Sequence, residues 1–486
     1  MNEKTFEHAG PPQSARKRAA LALAERMAPR RRSFIERNKS YFNDHYRYMR
    51  FLVTEGTSIL DLGCGIGDLL AELRPARGVG IDSSPAMIAV ARAAHPQFEF
   101  HVGDIEDAAN LAKLGGPFEV IVLSDTIGGL EDIGTTLAAL HPLCTAETRL
   151  IVSYYSRLWE PVLRLAEGIG AKPRQGPQNW LSTSDIEGLL ALADFEVIKR
   201  EWRQLTPKRL LGLGRLLNQW LGPLPGIRRF CLRNYVVARP VPTASSARPS
   251  VSVVIPCRNE RGNIEAAITR MPRICDDMEI LYVEGNSSDG TYQEIERVID
   301  DHPEWTIRAL KQDGRGKGDA VRKAFAAARG EVLMILDADL TMPPETLPKF
   351  YQALVSGKGE MINGTRLVYP LDPNAMRFLN LIANRTFSLM FSWLLNQRVT
   401  DTLCGTKVLS NAHYRRLAAN RDYFGDFDPF GDFDLLFGAT KLNLKVVEIP
   451  IRYTERSYGE TQISRFSDGF LLFRMVLFAW RKLKAF

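Results

Sequence analysis

The sequence predicts two α/β domains in tandem, and three observations carry the expectation. The chain has 486 residues, more than one hydrophobic core normally serves. Both halves alternate short apolar runs with helical patterns, the order that builds sheets covered by helices. Between them, residues 240–250 read PVPTASSARPS, polar, small and proline-broken, as a linker does. The expected organisation is a basic arm over 1–44, a first domain over 45–240, a linker over 241–250 and a second domain over 251–486. A hydrophobic share of 45% supports folding rather than disorder.

The arm holds 11 Lys/Arg against three acidic residues between positions 15 and 50. Two readings stay open for it, contact with lipid or the other domain and an ordinary solvated helix, and no chemistry is assigned there. The net charge of +7 favours anionic partners, but no nucleic-acid-binding module accompanies it. The six cysteines are scattered without paired or metal-binding spacing, which points to a reducing, cytoplasmic setting and against a zinc site. The opening MNEKTFEHAG lacks the apolar core of a signal peptide, so export is not expected.

In the first domain, TSILDLGCGIGDLLAEL reads as a strand to Leu62, a turn with Gly63, Gly65 and Gly67, and a helix. Glycines at such a turn let the backbone approach a ligand, and the helix start offers unpaired N–H groups. The next strand, GVGID, ends at Asp82, 21 residues after Asp61, placed to accept the hydroxyls of a ribose. A third, FEFHVGDIED, carries Asp104 at its end, able to meet an adenine amino group. A nicotinamide dinucleotide would want glycine at position 70 when the motif is read from Gly65, and the chain has Leu70. Asp61, directly before the glycines, also suits a cationic moiety better than a pyrophosphate.

These segments, with VGIDSSPAMIAVAR, FEVIVLSDTIGGLEDI and NWLSTSDIEGLLALADFEVIKR, resemble the successive motifs of class I S-adenosylmethionine-dependent methyltransferases, with their Rossmann-like sheet. The resemblance implies that Asp61 and Gly63, Gly65 and Gly67 hold the methionine part, Asp82 the ribose, and Asp104 with Ile105 the adenine. No histidine stands in IGGLEDI, where many oxygen-methylating relatives have one. Asp125, Glu131, Asp132, His101 and His141 remain open as proton acceptors, and none is nominated.

The second domain begins with VSVVIPCRNERGNIEAAI, a strand, a polar loop and a helix, and MEILYVEGNSSDGTYQEIERVI repeats the device. LKQDGRGKGDAVRKAFAAARGEVLMILDADL adds a basic loop without the spacing of a phosphate-binding ATPase loop, a helix and a strand running into Asp337 and Asp339. On an extended chain these two point the same way; if a turn has begun, they can still converge. Two carboxylates 4 Å apart repel by about 4 kcal/mol at an effective dielectric of 20, so a cation belongs between them, and a hard divalent ion with a diphosphate is the natural choice. The alternative is a pair that caps the turn before TMPPE.

The ordered set PCRNE, EGNSSDGT, DAD, NGTR, VTDTLCGTKVL and VVEIPIRYTERSYGETQI resembles family 2 glycosyltransferases of the GT-A fold. Within them it is similar to the branch that loads a hexose onto a polyprenyl phosphate. The resemblance covers about residues 251–465. It implies a nucleoside-diphosphate sugar donor, GDP- or UDP-linked, and a polyprenyl-phosphate or related glycan acceptor. Pro256, Asn259, Glu260, Glu284, Asp289, Lys317 and Asp337 would bind the donor, and Asp337 and Asp339 would hold Mg2+ or Mn2+. Relatives usually have two aspartates where this chain has Glu284 and Gly285. Asp339 with its metal would steady the departing diphosphate in an inverting transfer. For a hydroxyl acceptor, FGDFDLLF supplies Asp432 and Asp434; Asp434 is favoured, and a base and an orienting role both stay open for it. Lys407, Arg452 and Arg456 could receive an acceptor phosphate, with Arg456 preferred beside Gly459 in the loop resembling the acceptor lid.

FLNLIANRTFSLMFSWLLN and GFLLFRMVLFAWRKLKAF are too short or interrupted to span a bilayer. Peripheral contact with an anionic membrane and burial as core helices are both open for them. Taken together, the expectation is a bifunctional enzyme. The alternatives are a soluble transferase acting on a glycan or small molecule, and a scaffold with one active domain.

Overall fold

A computed structural model describes residues 14–170, 172, 178–243, 247–369, 378–424, 433–454, 456, 458 and 465–485. Asp432 and Gly459, named above, lie outside the described residues. The chain divides into two compact units, Met1–Val241 and Pro242–Phe486.

The first unit is built on seven strands: β1 (Ser58–Leu62), β2 (Arg77–Asp82), β3 (Glu99–Val102), β4 (Val120–Ser124), β5 (Arg149–Tyr155), β6 (Phe195–Arg203) and β7 (Arg233–Pro240). Their order is β3-β2-β1-β4-β5-β7-β6. β1 to β5 are parallel, and β7 runs antiparallel between β5 and β6. All seven residues of β5 and all eight of β7 are buried, as strands covered on both faces must be. Side chains such as Ile121, Leu150 and Val236, fully buried in one cluster, each contribute about 1.5–3 kcal/mol against exposure.

The stretch read as an arm is two helices of this unit. Helix 15–37 starts at Ser14, whose hydroxyl accepts from the Lys17 N–H, and helix 39–52 crosses position 45 without a break. Arm and domain are therefore continuous. The reason is an apolar side on the first helix: Ala28 packs with Ile66 and Met87, and Ala24, Met27 and Ile35 close around them.

The second unit has β8 (Val251–Cys257), β9 (Met278–Glu284), β10 (Thr306–Lys311), β11 (Val332–Ile335), β12 (Met361–Thr365), β13 (Lys407–Ser410) and β14 (Val446–Pro450). Their order is β10-β9-β8-β11-β13-β12-β14. β10, β9, β8 and β11 are parallel, while β13 is antiparallel to both β11 and β12. The four parallel strands turn their carboxyl ends one way, where ligands bind in open α/β sheets. The apolar segments flagged near the end form helices 378–395 and 465–483. Among the described residues, no helix is long and apolar enough to cross a membrane.

Candidate functional sites

In the first unit, the glycine turn after β1 takes left-handed backbone, with φ of 78°, 54° and 78° at Gly63, Gly65 and Gly67. At Gly63 a β-carbon would lie 2.4 Å from the Thr126 hydroxyl, whereas at Gly65 it would meet nothing within 4 Å. The backbone at Gly65 thus borders open space. Asp61 is buried on β1, and its Oδ1 has no hydrogen-bond partner. Burial first, then the charge of Asp82, pushes its carboxyl up to about 7. A buried acceptor left unpaired is costly, and a ligand ammonium would satisfy it. Asp82 closes β2 and accepts from the Gly65 and Ser84 N–H groups, each at 2.9 Å, which fixes the glycine turn against β2.

Helix 15–37 lies across the carboxyl ends of these strands, and sequence reasoning missed its part. Lys17 meets Asp104 at 2.6 Å and Glu106 at 2.7 Å. Glu25 accepts from the Ser84 hydroxyl at 2.5 Å and the Ala86 N–H at 3.1 Å. Arg16 donates to the Gly128 carbonyl at 3.0 Å. The available signal was the Ala24, Ala28, Ile35 spacing within a basic helix. Asp104 stands two residues beyond β3, and Ile105 is buried in the main core.

A second buried cluster follows β4. Asp125 has φ of 60°, directly before the Thr126 that packs on Gly63. Arg233, fully buried at the start of β7, donates to both Asp125 oxygens at 2.9 and 2.6 Å and also to the Tyr41 hydroxyl. Its Nε has no partner. Burial opposes the Arg233 charge, and Asp125 with Tyr41, Tyr235 and Tyr155 outweighs that. His45 bridges the Tyr235 hydroxyl at 2.9 Å and the Ser124 hydroxyl at 3.0 Å. Burial, then the Arg233 charge, holds its imidazole well below the usual range, so it stays neutral. Of the other open candidates, Asp132 caps helix 133–138. His141 bonds the Ala193 carbonyl at 2.8 Å and stacks on Phe195, at the opposite end of the sheet.

In the second unit, β11 ends at Ile335 and a turn spans the acidic pair itself. The Leu340 N–H donates to the Asp337 carbonyl, and Leu340 has φ of 52°. Lys317 reaches Asp337 at 2.6 Å, and Arg456 reaches Asp339 at 2.7 Å and Glu260 at 3.4 Å. Burial works against the Asp337 charge, but Lys317, Lys407 and Arg366 outweigh it and hold the carboxyl low. Asp339 also accepts from the Thr341 hydroxyl at 2.8 Å. Burial raises the Glu260 carboxyl, partly offset by Asn263 and Arg456. At Gly405 a β-carbon would lie 2.0 Å from the Asp337 carboxylate, so only glycine lets that loop pass. Asp337 and Asp339 supply hard oxygen donors of the kind a divalent ion takes, and each is paired here with a side-chain cation, Lys317 or Arg456.

Around this pair, Pro256 lies on β8 and Glu284 closes β9, accepting from the Ser287 N–H. Asn259, with φ of 55°, links to Ser287 and Ser288, and Asp289 accepts from the Arg261 and Thr291 N–H groups. Asp434 pairs with Arg421 at 2.9 Å in the first turn of helix 433–441. Lys407 is fully buried and donates to the Cys404 carbonyl at 2.6 Å. The motif residues Arg366 and Asp401 form a buried two-pronged ion pair at 2.6 and 2.8 Å.

Comparison with known proteins decides the family of each unit. Residues 13–200 match the model of a methyltransferase domain, and residues 252–422 match that of glycosyl transferase family 2. The chain carries a methyltransferase domain followed by a family 2 glycosyltransferase domain. Both are domains of group-transfer enzymes. The chain is 35% identical over 109 residues to a dolichol-phosphate mannosyltransferase of Saccharomyces cerevisiae, covering 21% of this chain and 40% of that one, less than half the relative's length. It is 29% identical over 220 residues to a dolichyl-phosphate hexose transferase of Haloferax volcanii, covering 45% of this chain and 89% of that one. A glucosyl-3-phosphoglycerate synthase of Mycobacterium tuberculosis, solved with Mn2+, uridine diphosphate and glucosyl-3-phosphoglycerate, aligns with a TM-score of 0.37 and 17% identity over 48% of this chain and 80% of that one.

Proposed function

We propose that the family 2 domain transfers a hexose from a nucleoside-diphosphate sugar to a polyprenyl phosphate, and that the methyltransferase domain methylates an unidentified acceptor with S-adenosylmethionine. The observation that carries the first half is the convergence of Glu260, Asp337, Asp339, Lys317 and Arg456 at the carboxyl ends of β8 and β11. A divalent ion held by Asp337 and Asp339 would neutralise the charge growing on the departing diphosphate. Lys317 adds a cation on the same side, and Pro256, Asn259, Glu284 and Asp289 shape the nucleotide loops around it. Arg456 is the group proposed to meet the acceptor phosphate. A phosphomonoester is already ionised near neutral pH, so such an acceptor needs no base. Asp434, paired with Arg421, is proposed to orient rather than to remove a proton.

In the first unit, Asp61 would hold the amino end of the cofactor, Asp82 the ribose and Asp104 with Ile105 the adenine, against the turn at Gly63, Gly65 and Gly67. S-adenosylmethionine supplies the methyl group on its sulfonium. Asp125 is proposed to face the acceptor, since its pair with Arg233 fixes it beside Thr126 and the glycine turn. Helix 465–483 exposes Phe470, Phe473 and Leu477, which supports peripheral contact with the cytoplasmic face of a membrane.

The test is labelled GDP- and UDP-hexoses offered with polyprenyl phosphate or with free sugars, with and without Mn2+. Label appearing in polyprenyl phosphate only with metal supports the reading. Label in free sugars alone would replace it with a soluble transferase.

A further inference from the structure

We infer that the methyltransferase unit docks on an anionic lipid bilayer through the connection between β6 and β7. This inference does not rest on the sugar-transfer reading. Residues 206–230 read TPKRLLGLGRLLNQWLGPLPGIRRF, with five Lys/Arg and no acidic residue. Leu210, Leu211, Leu213, Leu216, Trp220 and Phe230 are all exposed, Leu211 completely. Leu210 and Leu211 have φ of 45° and 56°, a left-handed pair that leucine adopts only at an energetic cost. Folding gains nothing from strained leucines in water.

The segment is nonetheless a built structure. Buried Asn218 accepts from the Thr206 N–H at 2.8 Å, donates to the Thr206 carbonyl at 2.9 Å and reaches Asp44 at 3.3 Å. Gly214 packs against the Lys208 and Arg209 carbonyls so closely that a β-carbon would lie 2.1 Å from the first. The Trp159 indole donates to the Phe230 carbonyl at 2.8 Å, joining a second element. There, Leu158, Val162, Leu165 and Ile169 follow helical spacing with 52–72% exposure. Two adjoining elements therefore offer leucine and aromatic side chains, ringed by exposed Lys208, Arg209, Arg215 and Arg229.

Apolar side chains set among basic ones, with Trp and Phe at the edge, match the acyl boundary and anionic headgroups of a bilayer. A protein partner of apolar character would not explain the absence of any acid over residues 206–230; on the second element Glu160 and Glu167 are each ion-paired, with Arg164 and Lys172. The surface lies where β5 and β6 end and β7 begins, the same end of the sheet as the glycine turn. Docking there would bring the mouth of the methyltransferase site to the membrane.

The experiment is cosedimentation of the full chain with vesicles of phosphatidylglycerol and phosphatidylcholine, and of phosphatidylcholine alone. Wild type, Leu211→Asp/Leu216→Asp and Phe470→Asp/Phe473→Asp are compared, with thermal melting as the folding check. The leucine variant is expected to melt close to wild type, because Leu211 is fully and Leu216 more than half exposed, and to lose about tenfold or more of its partition to anionic vesicles. Binding equal to wild type in that variant, loss confined to the phenylalanine variant, or no wild-type preference for anionic vesicles would each overturn the inference. So would a leucine variant that only dissociates a dimer, since that assigns the surface to a second copy of the chain.

Discussion

Asp61 links burial to ligand chemistry in a single side chain. Its folded carboxyl, pushed up to about 7, binds a proton more tightly than the unfolded one, at about 4. The folded chain therefore carries the extra proton between those values, and stability falls as pH rises through that window. Asp61→Asn is expected to remove this slope from the first unit, read by chemical denaturation from pH 4 to 7. A ligand ammonium at Asp61 would expel the proton. Calorimetry of S-adenosylhomocysteine binding near pH 6, in buffers of different ionisation enthalpy, should show proton release in wild type and none in the variant. Asp125 presents the opposite case, because its partner Arg233 is the fully buried member. Asp125→Ala leaves that charge uncompensated and should cost about 3–5 kcal/mol, measured as a lowered denaturant midpoint.

At the scale of elements, the turn after β1 separates two roles that one glycine motif conceals. Gly63→Ala places a methyl into Thr126 and in left-handed backbone, so it should destabilise the unit by about 2 kcal/mol or more. Gly65→Ala meets open space; it should cost about 1 kcal/mol of stability while weakening cofactor binding severalfold. Denaturation and cofactor titration of the two variants distinguish these outcomes. Elements of this kind were legible in the sequence because strand, turn and helix are encoded locally: β1 ends at Leu62, β2 at Asp82 and β8 starts at Val251, as the apolar runs require. The acidic pair was legible too, and a turn there was one of the open readings, but the left-handed Leu340 was not legible, since a leucine with positive φ carries no sequence signature. Arg233, Tyr41 and His45 escaped notice because their meeting with Asp125 depends on three distant segments. Lys17 looked like one charge among eleven until the packing of Ala28 on Ile66 and Met87 placed it over Asp104.

At the scale of the whole molecule, two group-transfer domains share one chain through a short connection. On the proposed function, fusion would raise the effective concentration of one domain's product at the other. A chain cleaved in the linker is expected to keep the separate rates of each domain and to lose efficiency only in the two reactions combined. Unchanged combined kinetics would remove any reason to link them. The most direct measurement concerns Asp339→Asn, with hexose transfer from a labelled nucleotide sugar to polyprenyl phosphate followed in Mn2+. Cofactor binding by the first unit is measured in the same preparation. The predicted result is transfer lowered roughly 100-fold or more with cofactor affinity unchanged. Turnover within a few-fold of wild type would contradict departure of the diphosphate at a metal held by this pair.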